Sequence, residues 1–262
     1  MSIELKEVSI TGSVWRYRIA GANQKAVLVL PGSLGGGDAI TDLMTQTIPE
    51  RKIVVPEYSP VATVSECIEG VDEILRREQI ETTAVYGCSF GGLLAQCFAR
   101  THPDHVTHLI LSGTGFPEQK RAKGNRRLLA LLPFLRMRLM RFLLRMVLWK
   151  LLRKVTVDKN QWKNEFHHLM SKLTRDDLAS RYKIAIDFDE NYRFTPADLS
   201  GWPGKILILE GSADRIANER IRAELRSLYP QAAVHTFSEA GHSMFLTHTQ
   251  EWGKIVSAFL DA

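Results

Sequence analysis

Residues Val85-Tyr86-Gly87-Cys88-Ser89-Phe90-Gly91-Gly92 decide how this chain is read: a short apolar run ends in Gly-Cys-Ser-Phe-Gly and passes at once into an alanine- and leucine-rich helical pattern. G-x-S-x-G between a strand and a helix is a nucleophile elbow, a corner so tight that the serine sits on strained backbone with its hydroxyl exposed above the sheet. Gly87 and Gly91 have a steric reason for their places, because a side chain two positions before or after Ser89 would strike neighbouring backbone. Gly, Ser and Gly also recur in ordinary loops, so the motif needs a scaffold around it and partners for its serine.

The scaffold is written on both sides of the motif. Residues 3–10 and 14–19 alternate as an antiparallel hairpin around Thr11-Gly12-Ser13. Ala26–Leu30 is an unbroken apolar run, as a strand covered on both faces requires, and it stops at Pro31-Gly32-Ser33-Leu34-Gly35-Gly36-Gly37. A helix is expected from about Asp38 to Ile48, a strand at 52–56, and a helix over 63–79 with Thr63 or Ser65 as its cap. The strand at 83–87, the helix at about 90–101 and the strand at 106–112 follow. Strands alternating with helices over short connections predict a parallel, doubly wound sheet.

From about Phe116 to Asp198 the strand signal stops, and the segments are helical and rich in leucine, methionine and arginine. The strand pattern resumes at Lys205–Leu209, followed by a helix near 218–228, a strand at 233–237 and a helix near 251–260. The organisation expected is one folding unit with a body of 1–115 and 199–262 and a helical lid of 116–198.

Two further residues fall where a serine nucleophile needs them. A neutral hydroxyl requires a base to take its proton, and that base requires an acid to hold its tautomer. Asp214 stands just after the strand that resumes at 205, and His242 just after the last strand, both at the carboxyl edge where open α/β sheets bind ligands. Asp214 alone could be a loop-capping residue and His242 a turn histidine; their joint occurrence with Ser89, in this order, favours the triad. Asp187, Asp189, Asp198 and Glu210 are the competing acids and are less well placed. Acyl transfer also needs backbone donors for an oxyanion. The expected pair is Phe90, at the positive end of a helix, and Ser33, in the glycine-rich loop.

The motifs Gly87-x-Ser89-x-Gly91, Gly211-x-x-Asp214 and Gly241-His242 resemble those of the α/β-hydrolase superfamily over nearly the whole chain. Within it, Leu178-Ala-Ser-Arg181, the Asn191-Tyr192 region and Leu228-Tyr229-Pro230 are similar to maspardin and its relatives. The resemblance implies an α/β-hydrolase fold, with a mostly parallel central sheet of about eight strands flanked by helices and an inserted helical lid. It implies a serine hydrolase that cleaves a carboxylic ester, thioester or related acyl compound through an acyl-enzyme, with Ser89, Asp214 and His242 as the catalytic set and no cofactor. The alternative is a catalytically weak adaptor of the maspardin type; His242 favours catalysis, because its loss would mark an interaction protein. Pro31-Gly32 departs from the superfamily's usual His-Gly and removes a side chain that braces the oxyanion loop.

Composition narrows the remaining classes. Of 34 basic residues, 12 lie between Lys120 and Lys154 with no Asp or Glu among them, which leaves 22 basic against 29 acidic residues elsewhere. The excess positive charge is therefore a property of the insert. Arg138, Arg141 and Arg145 form one helical stripe, with Leu135, Leu139, Phe142, Leu143 and Met146 opposite. The first expectation is a helix packed on the body by that apolar face with a solvated basic stripe. The second is peripheral contact with an anionic membrane through 120–154, aided by Phe142 and Trp149; the third is steering of an anionic substrate. Nucleic acid is disfavoured, since the cations are interleaved with leucine and stacking aromatics are few. The first 25 residues carry no apolar h-region, no apolar run is long enough to span a bilayer, and three cysteines make no disulfide framework, so a cytoplasmic protein is expected. His102-x-x-His105-x-x-His108 crosses a helix end and Pro103, so its rings are expected to diverge and to hold no metal. The oligomeric state is not legible in the sequence.

Overall fold

The computed structural model describes residues 2–10, 12–152 and 158–262, and over 147–152 the backbone alone. Thr11 of the first turn, and the side chains of Trp149, Arg153 and Lys154 invoked for membrane contact, lie outside the described residues.

Chain order runs β1 (Glu4–Ile10), β2 (Ser13–Ala20), β3 (Ala26–Leu30), α1 (Asp38–Thr47), β4 (Lys52–Glu57), α2 (Val64–Arg77), β5 (Thr83–Cys88), α3 (Phe90–Thr101) and β6 (Val106–Ser112). The insert contributes α4 (Gln119–Leu131), a short 3₁₀ turn, α5 (Met137–Leu152), α6 (Lys159–Lys172) and α7 (Arg175–Asn191). The chain then closes with β7 (Lys205–Gly211), α8 (Glu219–Leu228), β8 (Ala233–Phe237), α9 (Met244–Thr247) and α10 (Thr249–Leu260).

The eight strands form one sheet in the order β1-β2-β4-β3-β5-β6-β7-β8. β1 and β2 are antiparallel to each other and β2 to β4, while every other neighbouring pair is parallel. β3 shows why its sequence does not alternate: Leu28 and Leu30 pack with α2 and α3 on one face, and Val27 and Val29 with α1 and α10 on the other. A strand with both faces covered has no solvent side to make polar. The hairpin strand β2 alternates as expected at Trp15, Tyr17 and Ile19, but Arg18 is buried too, between Asp38 and Glu57.

Helix ends follow local chemistry. Thr63 caps α2, its hydroxyl accepting from the Glu66 amide while the Glu66 carboxylate accepts from the Thr63 amide. α1 has no such residue at Gly37. Glu165 of α6 lies against Gly37, where any Cβ would overlap it.

The apolar face of α5 faces the opposite way from expectation. Met137, Met140 and Leu144 pack on Leu132, Met170, Leu173 and Leu178, and Arg141, on the same side, donates to the Leu173 carbonyl at 2.8 Å. Leu139, Phe142, Leu143 and Met146 are exposed. The helix is apolar on two sides, and α6 and α7 supply a small core for only one of them.

Candidate active site

The register of the parallel strands brings the carboxyl ends of β3, β5, β6 and β7 to one edge: Leu30 is opposite Gly87, Cys88 opposite Ser112, and Ser112 opposite Leu209. The chain leaves β5 there through Ser89, whose φ of 51° and ψ of −115° lie in a region that non-glycine residues avoid. The strain is held by neighbours. The Ser89 amide donates to the Ser112 carbonyl at 2.9 Å, and the Ser89 carbonyl accepts from the Thr114 hydroxyl at 2.7 Å and the Gly92 amide at 3.0 Å. A Cβ at Gly91 would run into the Leu30 carbonyl, and one at Gly87 would come within 2.6 Å of the Ala95 Cβ. Only glycine lets α3 start this close to the strand ends.

His242 reaches the serine from the loop after β8. Its Nε2 is 2.8 Å from Ser89 Oγ, and its Nδ1 is 2.7 Å from Asp214 Oδ2. Pairing with a carboxylate assigns the ring proton to Nδ1 and leaves Nε2 to accept from the serine. Asp214 is buried, and its second oxygen accepts from the Ile216 and Ala217 amides at 2.8 and 3.1 Å. Burial pushes its pKa up, but the bonds from His242 and the two amides outweigh it and hold the group below the ordinary aspartate value. Asp214 thus caps its own loop and also holds the His242 ring.

The competing acids are engaged elsewhere. Asp187 accepts from the Val64 amide, Asp189 pairs with Arg121, Asp198 with Arg100, and Glu210 with Arg226. Cys88 packs against the core, and burial pushes its thiol up to about 12, so it stays neutral beside the serine.

Ser33 and Phe90 both line the cleft of about 350 Å³ that contains Ser89 and His242. The first amides of a helix have no intrahelical acceptor, so the Phe90 amide stands at the positive end of α3. The loop carrying Ser33 turns through a Gly35 amide to Gly32 carbonyl bond of 2.9 Å. Its brace, which Pro31 cannot supply, comes from β4's end: the Tyr58 hydroxyl donates to the Pro31 carbonyl at 2.8 Å. The Tyr58 ring meets Phe90 edge-on at 5.4 Å, and the Arg181 guanidinium lies 5.0 Å from its centroid.

Tyr58 and Arg181 escaped the sequence reading of the site. Arg181 is 9% exposed and lines the cleft. It donates to the Tyr58 carbonyl at 2.9 Å and the Ser180 hydroxyl at 3.3 Å, its Nε has no partner, and no carboxylate pairs with it among the described residues. Burial lowers its pKa from the ordinary value. The Leu178-Ala-Ser-Arg181 stretch carried the signal, an arginine in the middle of a helical apolar pattern, but nothing local tied it to Ser89.

The three histidines divide differently from expectation. The turn that ends α3 brings His105 back over His102, so these rings lie 5.7 Å apart with both facing Asp72, while His108 packs on Phe259. Among the described residues, no group of three or more His, Cys, Asp or Glu is arranged to hold a metal.

A sequence model described as the Alpha/beta hydrolase family matches residues 9–253. The chain belongs to that family. Among curated proteins similar to this family member, the polyketide synthase ThaQ of Burkholderia thailandensis is 37% identical over 91 residues, 34% of this chain and 4% of the synthase. The chain thus matches a small fraction of that relative's length. The 2-hydroxymuconate semialdehyde hydrolase of Pseudomonas putida is 26% identical over 222 residues, covering 78% of this chain and 70% of the relative. A crystal structure of a hydrolase from Pseudomonas aeruginosa superposes with a TM-score of 0.80 at 18% identity, over 98% of both chains. That likeness shows the fold of the alpha/beta hydrolases for this chain as a whole.

Proposed function

We propose that this alpha/beta hydrolase is a serine hydrolase that cleaves a carboxylic ester, thioester or related acyl compound through an acyl-enzyme. The observation that carries the reading is the unbroken chain Ser89–His242–Asp214, at 2.8 and 2.7 Å. His242 Nε2 takes the hydroxyl proton as Ser89 Oγ attacks the acyl carbon, and the Phe90 and Ser33 amides receive the oxyanion. The imidazolium, stabilised by Asp214, returns its proton to the leaving group as the acyl–heteroatom bond breaks. Water then enters, His242 removes its proton, and Ser89 is released with the free acid. The step requires no cofactor. A cytoplasmic location accords with the three free thiols, Cys67, Cys88 and Cys97. The helical insert acts as the lid of the cleft, since Arg121, Asn125, Arg181 and Tyr182 of α4 and α7 form one of its walls. The test is labelling by a fluorophosphonate together with turnover of short p-nitrophenyl esters: both are expected in the native chain and absent from Ser89→Ala. Equal turnover by the two proteins would overturn the reading. The maspardin-like adaptor is the weaker account, because a binding protein has no use for a serine held in strained backbone against a carboxylate-held histidine.

Arg181 favours a narrower version, in which the acyl group carries its own negative charge. A guanidinium nine-tenths buried without a carboxylate is costly unless a ligand supplies one. Turnover of ω-carboxylate acyl esters against their neutral counterparts is the direct assay. Faster turnover of neutral esters than of their ω-carboxylate counterparts would contradict this version while leaving the acyl-enzyme intact.

A further inference from the structure

The insert presents an apolar surface that the cleft does not use. Of the twelve large hydrophobic residues exposed among the described residues, eight lie between Leu128 and Met146. Phe134, at the turn between α4 and α5, is 82% exposed, and Phe142 on α5 is 57% exposed. At about 3.6 residues per turn, Leu139, Phe142, Leu143 and Met146 share one face, roughly opposite the Met137, Met140 and Leu144 side that packs on the insert's own core. Leu128 and Leu131 of α4 are exposed as well. Scattered surface leucines need no explanation, but a cluster of this density on one short segment does.

Charge decides what covers it. The segment from Lys120 to Lys154 has 12 basic residues and no acidic one. Arg126 is paired with Glu190 and Arg141 is turned inward to the Leu173 carbonyl. Arg136, Arg138 and Arg145 are exposed and meet no carboxylate among the described residues. A second copy of the chain seated on this face would bring two acid-free clusters together with nothing to neutralise either, so self-association is disfavoured. A nucleic acid would leave the leucines and phenylalanines in water. An anionic lipid surface satisfies both features at once, with headgroups for the arginines and the acyl boundary for the apolar face. No helix among the described residues is long and apolar enough to cross a membrane. We infer that the exposed face of residues 128–146 docks this protein peripherally on an anionic bilayer.

The surface and the cleft share a helix. α4 gives Arg121 and Asn125 to the cleft wall and, further along, Leu128 and Leu131 to the exposed face. Docking therefore bears on the same helix that lines one wall of the cleft.

The test is flotation of the full chain with vesicles of phosphatidylcholine alone and of phosphatidylcholine with phosphatidylglycerol, at low and high salt. Binding is expected only to the anionic vesicles, and to weaken as salt rises. Arg138→Gln with Arg145→Gln should lower vesicle affinity about fivefold per arginine. Phe142→Ser with Leu143→Ser should lower it at least about tenfold. Circular dichroism checks the fold of each variant without reference to any activity, so failure of the docking idea and failure of the hydrolase reading are distinguishable. Equal binding to neutral vesicles, native-like binding by folded variants, or flotation with neither vesicle would overturn the inference. So would a native dimer that Phe142→Ser with Leu143→Ser converts to monomer.

Discussion

The Tyr58 hydroxyl donates to the Pro31 carbonyl at 2.8 Å, so the loop carrying Ser33 is held from the end of the neighbouring strand rather than by a residue of its own. Tyr58 is buried, and burial raises its hydroxyl well above the ordinary tyrosine pKa, so it stays a donor at any working pH. Tyr58→Phe leaves the ring against Phe90 and removes only this bond. Its expected effect is a fall in kcat of about tenfold with KM little changed, since in the proposed mechanism the amide of Ser33 on this loop acts on the transition state. A stability loss of about 1 kcal/mol should accompany it. Steady-state kinetics and thermal melts measure the two.

Asp214→Asn keeps the shape of the acid but can no longer select the histidine tautomer that accepts from Ser89. A kcat lower by a factor on the order of 10⁴ is expected, with the label still reacting slowly at Ser89. Because the folded pKa of Asp214 is depressed, its ionised form stabilises the fold above the unfolded aspartate value of about 3.9, and that contribution is lost as pH falls through the folded value. The stability gap between the native chain and Asp214→Asn should accordingly close on acidification below about pH 4, as followed by denaturant titration at a series of pH values.

Glu165 has the opposite sign. Burial first, and Asp38 beside it, raise its pKa although Arg18 opposes them, so the folded chain holds this proton more tightly than the unfolded chain does. The ionised carboxylate therefore costs stability once pH exceeds the unfolded glutamate value of about 4.3. Glu165→Gln, which keeps the shape of the side chain against Gly37, should be more stable than the native chain at neutral pH and equal to it well below pH 4. Melting temperatures across that range test the sign.

Arg181→Met retains the packed volume and removes the charge. For ω-carboxylate acyl esters, kcat/KM should fall by about tenfold to a hundredfold, as for loss of a buried charge-assisted contact, while neutral short esters change little. A parallel fall for both substrates would mean that Arg181 serves the Tyr58 loop alone.

What was legible in the sequence was whatever depends on local pattern. Ala26–Leu30 announced a doubly covered strand because five consecutive apolar residues admit no solvent face, and the observed pairing of β3 with β4 and β5 bears this out. The start of α2 was legible as Thr63 or Ser65, and the capping box of Thr63 with Glu66 selects Thr63. Ser89, Asp214 and His242 could be aligned because strand order converts spacing along the chain into position at one sheet edge. Tyr58, Arg181 and Glu165 were not legible, since each acts on a residue of another element: Pro31 of the loop after β3, the Tyr58 carbonyl, and Gly37 before α1. The orientation of α5 failed for a related reason. A helix with methionines and leucines on two faces does not declare which face its neighbours will cover, and only the small core built by α6 and α7 selects Met137, Met140 and Leu144.

Intact-mass spectrometry after fluorophosphonate treatment of the native chain and of Ser89→Ala, paired with ester turnover by both, addresses Ser89 most directly. One adduct, mapped to Ser89, is expected on the native chain, with none on the variant and a loss of turnover of about 10³-fold or more. An unlabelled native chain, or undiminished turnover by Ser89→Ala, would contradict the assignment of Ser89 as the nucleophile.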